Sequence, residues 1–331
     1  MVDEPDIQFL KNKIDQLNKQ AWEKRVNDST QAHVLSKEAI ELAEGMDYVR
    51  GKAEGYRTFA FTLIRLSRHH DALEYSRKSM ALFESLNDID GQSSIYAYYG
   101  IIQRSLGNYA ASLEFLFQSL ELAQRAGNKE SESLTFYHLG VTYKYLGDFE
   151  TALTHLLQSL SIARLNDYWI AESYSLNLIG LIYFETGDLM NALDYYHQSL
   201  ISRQRAGDKW GEAGCLDNIG VIHFKLKDNK TALDFCSQAL SISKLIDDKK
   251  GEGNSLFHLG NVHEDEADYD EASVCYHNSL DIRRKIGDKK GETEILLFLA
   301  GLYLKKTFSF SNRAVFARAD CRTFRFLFNS A

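Results

Sequence analysis

The sequence predicts an all-α fold, an α-solenoid built from tandem helix-turn-helix repeats. Three observations support this class: a period of 40 residues, a helical spacing of apolar residues within each period, and a near absence of proline. Pro5 is the one proline among 331 residues. Because a proline inside a helix removes a hydrogen bond and clashes with the preceding turn, its scarcity favours a mostly helical chain.

Columns of similar residues recur at intervals of 40 along the chain. The first column contains the small residues Ala60, Gly100, Gly140, Gly180, Gly220, Gly260 and Ala300. Two further small-residue columns are Ala32, Ala72, Ser112, Ala152, Ala192, Ala232 and Ala272, and Ala39, Ser79, Ser119, Ser159, Ser199, Ala239 and Ser279. A large aliphatic residue follows the last column in every copy, from Ile40 to Leu280. Small residues let helices approach closely while the large one fills the core, so seven copies in phase predict a repeat architecture.

Each period contains two helices separated by short turns. The apolar residues of one copy form two runs with helical spacing, 134–146 and 152–163. Gly147-Asp148 lies between the runs; glycine ends a helix in the left-handed conformation, and aspartate caps the next helix. At the second boundary, one column contains only residue types that tolerate positive φ, namely Asp47, Asn87, Gly127, Asp167, Gly207, Asp247 and Gly287. This spacing predicts two helices and two tight turns per period, without strands.

The motif LGxxY…GDxxxA resembles the tetratricopeptide repeat. It is present here as Leu139-Gly140, Tyr143, Gly147-Asp148 and Ala152. The resemblance covers residues 13–306, as seven repeats over 13–292 and the first helix of an eighth, with 1–12 as a lead-in. It implies a right-handed superhelix in which the first helix of each repeat lines the concave face.

The repeats depart from the family pattern in two ways. The period is 40 residues instead of about 34, and the proline that usually closes the second helix is absent. The longer unit carries Gly-Asp-Lys-x-Gly-Glu at 207–212 and 287–292. It resembles the subclass found in Pins-type adaptors and bacterial signalling arrays, where such repeats precede kinase or nucleotide-cyclase domains or bind small peptides.

No set of residues has the spacing of a catalytic or metal site. Most histidines fall in repeat columns, as His223 and His263 do where other copies carry tyrosine, which favours a packing role. The sequence contains no HExxH, phosphate-binding glycine loop or GxSxG motif. The acidic segment 264–271 lacks the pattern of an EF-hand and is interpreted as a solvated turn, with docking of a basic partner as the alternative. We therefore expect no enzymatic activity, no cofactor and no metal.

Charge and cysteine content exclude further classes. The net charge of −8 makes nucleic acid and anionic membranes poor partners. The four cysteines form no CxxC pair, which predicts small buried residues in a reducing compartment. The N-terminal residues lack a basic stretch followed by an apolar one, and the uncharged runs are shorter than a membrane span. Together these observations predict a soluble, cytoplasmic protein.

The resemblance implies a partner-binding surface on the concave face. Carried over by column, this surface comprises Tyr137, Val141, Tyr174, Asn177, Leu181, Phe184, Val221, Phe224 and Asn261. It is aromatic and aliphatic at its centre and becomes acidic toward Glu264 and Asp265. Such a groove suits an amphipathic helix or extended peptide with apolar anchors and a basic flank. The alternative is that some of these residues face the neighbouring helix and belong to the core.

Residues 307–331 break the repeat pattern. Thr307-Phe308 stands where Gly-Asp is expected, and Asn312 replaces the column alanine. Residues 305–331 contain six Lys or Arg, one Asp and six Phe. One interpretation is a basic aromatic segment for a membrane or partner, and the other is a truncated or frame-shifted end of a longer protein. We expect this tail to be disordered and to promote self-association through the C-terminal end.

These patterns predict a non-enzymatic scaffold that binds proteins or peptides, as the regulatory or sensor part of a cytoplasmic signalling system. The alternative is a receptor for a small peptide or metabolite in which the array closes around its ligand. Chaperone-tail binders of the family hold a terminal carboxylate with paired Lys and Asn. That ligand class is disfavoured, because the equivalent columns carry Ala97, Tyr137, Ile101 and Val141.

Overall fold

The computed structural model describes residues 4–307, and this range forms fifteen helices and no strand. The first ten are α1 Glu4–Lys24, α2 Ser29–Gly45, α3 Val49–Arg65, α4 His69–Ser85, α5 Ile89–Ser105, α6 Tyr109–Ala126, α7 Lys129–Tyr145, α8 Phe149–Leu165, α9 Trp169–Glu185 and α10 Leu189–Ala206. The remaining five are α11 Lys209–Lys225, α12 Asn229–Leu245, α13 Lys249–Asp265, α14 Tyr269–Ile286 and α15 289–307. The predicted all-α repeat solenoid is confirmed.

The turns adopt the backbone conformations that their residue types predict. Every member of the column from Asp47 to Gly287 has a positive φ, between 51° at Asp47 and 74° at Gly287. An aspartate follows this residue in several copies and caps the next helix: the Asp248 carboxylate accepts a hydrogen bond from the Gly251 backbone amide at 3.0 Å. Such caps satisfy amide groups that the first turn of a helix leaves without partners.

The first small-residue column lies where the two helices of one hairpin touch. A Cβ added at Gly140 would lie 2.6 Å from the Leu156 Cγ and 3.2 Å from the Ala152 carbonyl oxygen. Gly100 meets Leu116 in the same way, and Gly220 meets Cys236. The column is glycine because the helix axes approach too closely for a side chain.

The serine column forms hydrogen bonds between the two helices of one hairpin, which the sequence pattern did not predict. Ser79, Ser199 and Ser279 each donate from the hydroxyl to a backbone carbonyl 26 residues earlier, at 2.6–2.9 Å. Ser133 and Ser159 each donate to the other's carbonyl, at 2.9 and 2.7 Å. These side chains are fully buried, so each hydroxyl needs the carbonyl partner that the adjacent helix provides.

The helices group into two compact units, α1–α10 through Asp208 and α11–α15 from Lys209. In the first unit, the first helices of successive hairpins pack side by side, in the order α1, α3, α5, α7 and α9. In the second unit, α11 packs on α13 in the same way. In each unit, we call the surface formed by its odd-numbered helices the first-helix wall of that unit.

The ends of the described range refine the expected boundaries. Residues 4–12, assigned to a lead-in, are part of α1, and Thr307 belongs to α15. The rest of the predicted tail, 308–331, lies outside the described residues. On α15, Leu299 and Leu302 are buried against α14, whereas Leu297 and Leu304 are exposed. No helix between residues 4 and 307 combines the length and apolar content that crossing a membrane requires.

Candidate functional site

All nine residues predicted for the binding surface lie on the first-helix wall and are half-buried. Six belong to the first unit, on α7 and α9, and three to the second unit, on α11 and α13. Half-burial is the state expected of side chains that pack on their own helix layer and still present one face outward. Half-burial is compatible with both alternatives, binding surface and core, so a binding role for these positions stays a prediction.

In the first unit, the wall is aromatic and dense. The Tyr137 and Tyr174 rings lie 5.5 Å apart between centroids, and the Arg203 guanidinium lies 5.6 Å from the Tyr174 ring. Burial raises the pKa of both tyrosine hydroxyls. Tyr137, Val141 and Leu181 also pack against the buried cluster that contains Leu176. These residues form a stiff apolar surface of the kind that anchors partner side chains.

In the second unit, three predicted residues line one cavity of about 390 Å³. Val221 and Phe224 on α11 and Asn261 on α13 form part of its wall, with Phe257 and Phe298 opposite. Phe257 and Phe298 are arranged edge to face, with ring centroids 4.9 Å apart. The cavity is thus apolar with a few polar groups at its edge, which is the usual composition of a ligand pocket.

The polar and charged side chains at this edge are Asn261, His258, Glu294 and Lys225. The Asn261 Oδ1 accepts a hydrogen bond from the Tyr276 hydroxyl at 2.7 Å, which leaves its Nδ2 group as a donor. His258 Nδ1 lies 2.8 Å from a carboxylate oxygen of Asp217. Burial lowers the pKa of His258, and the Arg283 charge acts in the same direction. The charge of Asp217, its hydrogen bond with the imidazole and the charge of Glu294 raise the pKa by more than this, so it lies above its ordinary value.

The acidic end of the predicted groove is largely neutralised by lysines of the same chain. Asp265 pairs with Lys227 at 2.7 Å, and Glu264 pairs with Lys305 at 2.7 Å. Lys306 pairs with Asp270. Three of the six carboxylates in the segment 264–271 thus have a lysine beside them, contributed from 36–41 residues away, and docking of a basic partner at this segment stays a prediction.

Sequence reasoning missed a second cavity, of about 190 Å³, in the first unit. Trp22, Arg25, Arg57, Tyr98 and His138 contribute to its lining. The repeat columns indicated this cavity only weakly. Arg57 occupies the same column as Tyr137, but the predicted binding surface did not include it. The 40-residue period does not predict the contact of Arg25 with Glu130 beside this cavity, because these residues do not belong to adjacent repeats.

The described cysteines and acidic groups agree with a packing role. Cys215, Cys236 and Cys275 are buried free thiols, and burial raises the pKa of Cys275 to about 11, which keeps it protonated. Within residues 4–307, no three His, Cys, Asp or Glu side chains are placed to hold a metal ion.

The pair His258–Asp217 predicts a pH-dependent contribution to stability. Because the folded-state pKa of His258 is raised, the contribution is present below the ordinary histidine pKa of about 6.5 and is lost as pH rises through the folded-state pKa. We expect Asp217→Asn to lower the melting temperature more at about pH 5.5 than at about pH 8.5. Circular dichroism melts at both pH values measure this, with the exposed Asp281→Asn as the control. An equal loss at both pH values would contradict the assignment.

The paired helices, the tight turns and the half-buried first-helix wall together define a helical-repeat binding protein. Three segments match the family model described as tetratricopeptide repeat, at residues 51–125, 91–164 and 169–245, together more than half of the chain. The chain therefore belongs to the tetratricopeptide repeat family. No curated protein sequence matches it.

Solved structures share the fold at low sequence identity. A Rap protein complexed with competence and sporulation factor aligns with a TM-score of 0.61 and 14% identity, over 90% of this chain and 88% of that one. The apo quorum sensor NprR from B. thuringiensis aligns at 0.59 and 14% identity, over 92% and 89%. BtubC from P. vanneervenii aligns at 0.51 and 18% identity, over 72% and 92%. At these identities the likeness concerns the fold.

Proposed function

We propose that this tetratricopeptide repeat scaffold binds a protein or peptide segment on its first-helix wall, as the regulatory or sensor part of a cytoplasmic signalling system. The observation that carries the proposal is the row of half-buried aromatic and aliphatic side chains on that wall, which includes three residues around the 390 Å³ cavity. Rigid, partly buried aromatic side chains lose little conformational entropy on binding and bury large apolar area.

The second-unit cavity accounts for how such a segment would be held. An apolar side chain of the ligand would enter between Phe224 and Phe298, which both line the cavity. The Asn261 Nδ2 group would donate to a backbone carbonyl of the ligand. Apolar anchoring supplies affinity, and the amide fixes the register of an extended peptide.

A signalling role is supported by the kind of protein that shares the fold. One neighbour is a Rap protein bound to competence and sporulation factor, and another is a quorum sensor. The alternative proposal, a receptor for a small peptide or metabolite that the array encloses, is favoured by one observation of its own. In the first unit, Arg25 in the turn after α1 and Glu130 on α7 lie 3.5 Å apart beside the 190 Å³ cavity, so that residues 105 positions apart in the chain meet there.

Affinity capture with the full chain, followed by mass spectrometry, would identify the partner. We expect the double variant Tyr137→Ala and Phe224→Ala to weaken binding of that partner by about 2 kcal/mol or more, because truncating buried aromatic anchors has such costs. Titration calorimetry with the purified partner measures the loss. The melting temperature of the variant, recorded in parallel, separates lost contacts from lost folding.

The matched control is Phe117→Ala with Leu157→Ala. These residues are exposed by 45% and 49% and lie on the second helices α6 and α8, away from the wall. The control should leave affinity unchanged. A partner that binds the Tyr137 and Phe224 double variant as tightly as the wild type would place the binding surface elsewhere.

A further inference from the structure

The cavity of about 190 Å³ in the first unit is bounded by four first helices, α1, α3, α5 and α7. Its volume equals that of about six water molecules in the liquid, so it has room for a small ligand group. The Arg25 Nη2, in the turn after α1, and a Glu130 carboxylate oxygen on α7 are 3.5 Å apart beside it. Trp22, Phe61, Ala97, Ile101 and Leu134 make most of the lining apolar.

Three polar atoms of the cavity residues are buried without a hydrogen-bond partner among the described residues. They are the Arg57 Nε, the Tyr98 hydroxyl and the His138 Nδ1. Tyr98 is 5% exposed, so water reaches its side chain poorly. A buried polar group without a partner is costly to the fold, and its persistence calls for a specific reason such as a ligand.

The charged groups around these atoms favour an anion. Of the two carboxylates that line the cavity, Asp90 accepts a hydrogen bond from the Asn128 side chain at 2.7 Å, and Glu130 faces Arg25. The Arg57 guanidinium lies 4.1 Å from the Trp22 ring centroid, and within residues 4–307 it forms no ion pair. The cavity therefore contains one guanidinium group whose charge no carboxylate of the described chain balances.

The electrostatic potential at the Tyr98 hydroxyl also favours an anion. Burial raises the pKa of Tyr98, and the charges of Arg57 and Arg25 oppose that rise, so both guanidinium groups act on this hydroxyl. Burial and the Arg104 charge lower the pKa of His138 to about 3, so its imidazole is neutral and can donate a hydrogen bond. A guanidinium, a hydroxyl and a neutral imidazole thus surround one apolar space.

We propose that this cavity binds a small organic acid: a carboxylate attached to an apolar or aromatic body. The carboxylate accepts hydrogen bonds from Arg57 and Tyr98, and the body packs against Trp22 and Phe61. A guanidinium and a carboxylate form strong charge-assisted hydrogen bonds, and burial among apolar side chains strengthens them further. This proposal rests on the alternative of an enclosed small ligand and uses none of the nine wall residues of the main proposal, so either site can fail without the other.

Trp22 provides a direct reporter, because the chain contains three tryptophans. In full-length protein carrying Trp169→Phe and Trp210→Phe, Trp22 is the remaining tryptophan; it lies in the cavity wall and can be excited selectively at wavelengths where tyrosine does not absorb. We expect benzoate and phenylacetate to change its fluorescence saturably, and benzamide to bind at least about tenfold more weakly because it lacks the charge. Titration calorimetry on the wild-type chain provides an independent affinity.

Two substitutions in this background test the assigned contacts. Tyr98→Phe removes only the hydroxyl, and Arg57→Met removes the charge at similar length; each should weaken benzoate binding at least about tenfold. The controls Tyr99→Phe on the same helix and the exposed Arg77→Met should bind as the parent does. Because Tyr98→Phe is nearly isosteric, it remains informative if Arg57→Met folds poorly.

A pair of hexapeptides with apolar C-terminal residues, one with a free carboxylate and one amidated, distinguishes the source of the carboxylate. Tighter binding of benzoate or phenylacetate than of both peptides indicates that the natural ligand is a metabolite. Tighter binding of the free-carboxylate peptide indicates a peptide C-terminus. Both outcomes support a carboxylate site. Absence of a saturable response to benzoate, phenylacetate and the free-carboxylate peptide would overturn the proposal. Unchanged benzoate affinity in Tyr98→Phe would do the same.

Discussion

Replacing Gly140 with leucine is expected to destabilise the first unit by about 3 kcal/mol or more, at the upper end of overpacking costs. A Cβ at this position already overlaps the Leu156 side chain at 2.6 Å, and the Ala152 carbonyl oxygen at 3.2 Å belongs to backbone that cannot rotate away. The two helices of the hairpin must therefore separate to admit a larger residue. Urea unfolding followed by circular dichroism measures the loss, as a shift of the transition midpoint.

Gly214 supplies the matched control, because it lies in α11 and a Cβ there would meet no atom within 4 Å. Gly214→Ala should raise stability by up to about 1 kcal/mol, since alanine is the better helix former. Gly180 is intermediate: its added Cβ would lie 3.2 Å from the Tyr196 ring. If Gly140→Leu were no worse than Gly214→Ala, the glycine column would not be a contact column.

The hairpins could be predicted because their determinants are local. The turn after each second helix needs a residue with positive φ, and the column from Asp47 to Gly287 contains only residue types that tolerate it. The other turn is less predictable. Ser67, Lys227 and Ala267 adopt φ values of 58°, 64° and 61°, although side chains disfavour this region. Packing of the flanking helices imposes that conformation, and propensity alone does not reveal it.

The site could be predicted in part for the same reason. Columns locate Val221, Phe224 and Asn261 on equivalent faces of neighbouring first helices, and these residues do line one cavity. Columns carry no information on which side chains meet across non-neighbouring hairpins. The contact of Arg25 with Glu130 spans 105 residues and joins hairpins that are not neighbours in the chain. Such contacts depend on the sum of the small rotations between successive hairpins, and the sequence of one repeat does not specify that sum.

Replacing Asp208 with alanine is expected to destabilise the first unit by about 3–5 kcal/mol, the cost of leaving a buried charge without its partner. The Arg203 Nη1 lies 2.7 Å from an Asp208 carboxylate oxygen, and the two side chains are 7% and 5% exposed. Once the carboxylate is removed, Arg203 retains its contacts with Ser199, at 3.4 Å, and with the Tyr174 ring. Neither neutral group balances a buried guanidinium charge.

The second unit contains the same pair 80 residues later, with Arg283 and Asp288 at 2.7 Å, but Asp288 is 27% exposed. Asp288→Ala should therefore cost less, because water can reach the guanidinium through the space that the carboxylate leaves. In the first unit, adding Arg203→Met to Asp208→Ala should recover most of the lost stability, since an apolar side chain of similar length needs no counter-charge. Chemical unfolding of Asp208→Ala, Arg203→Met and the double variant gives the coupling energy as a double-mutant cycle, and strictly additive losses would show that the pair does not account for the effect.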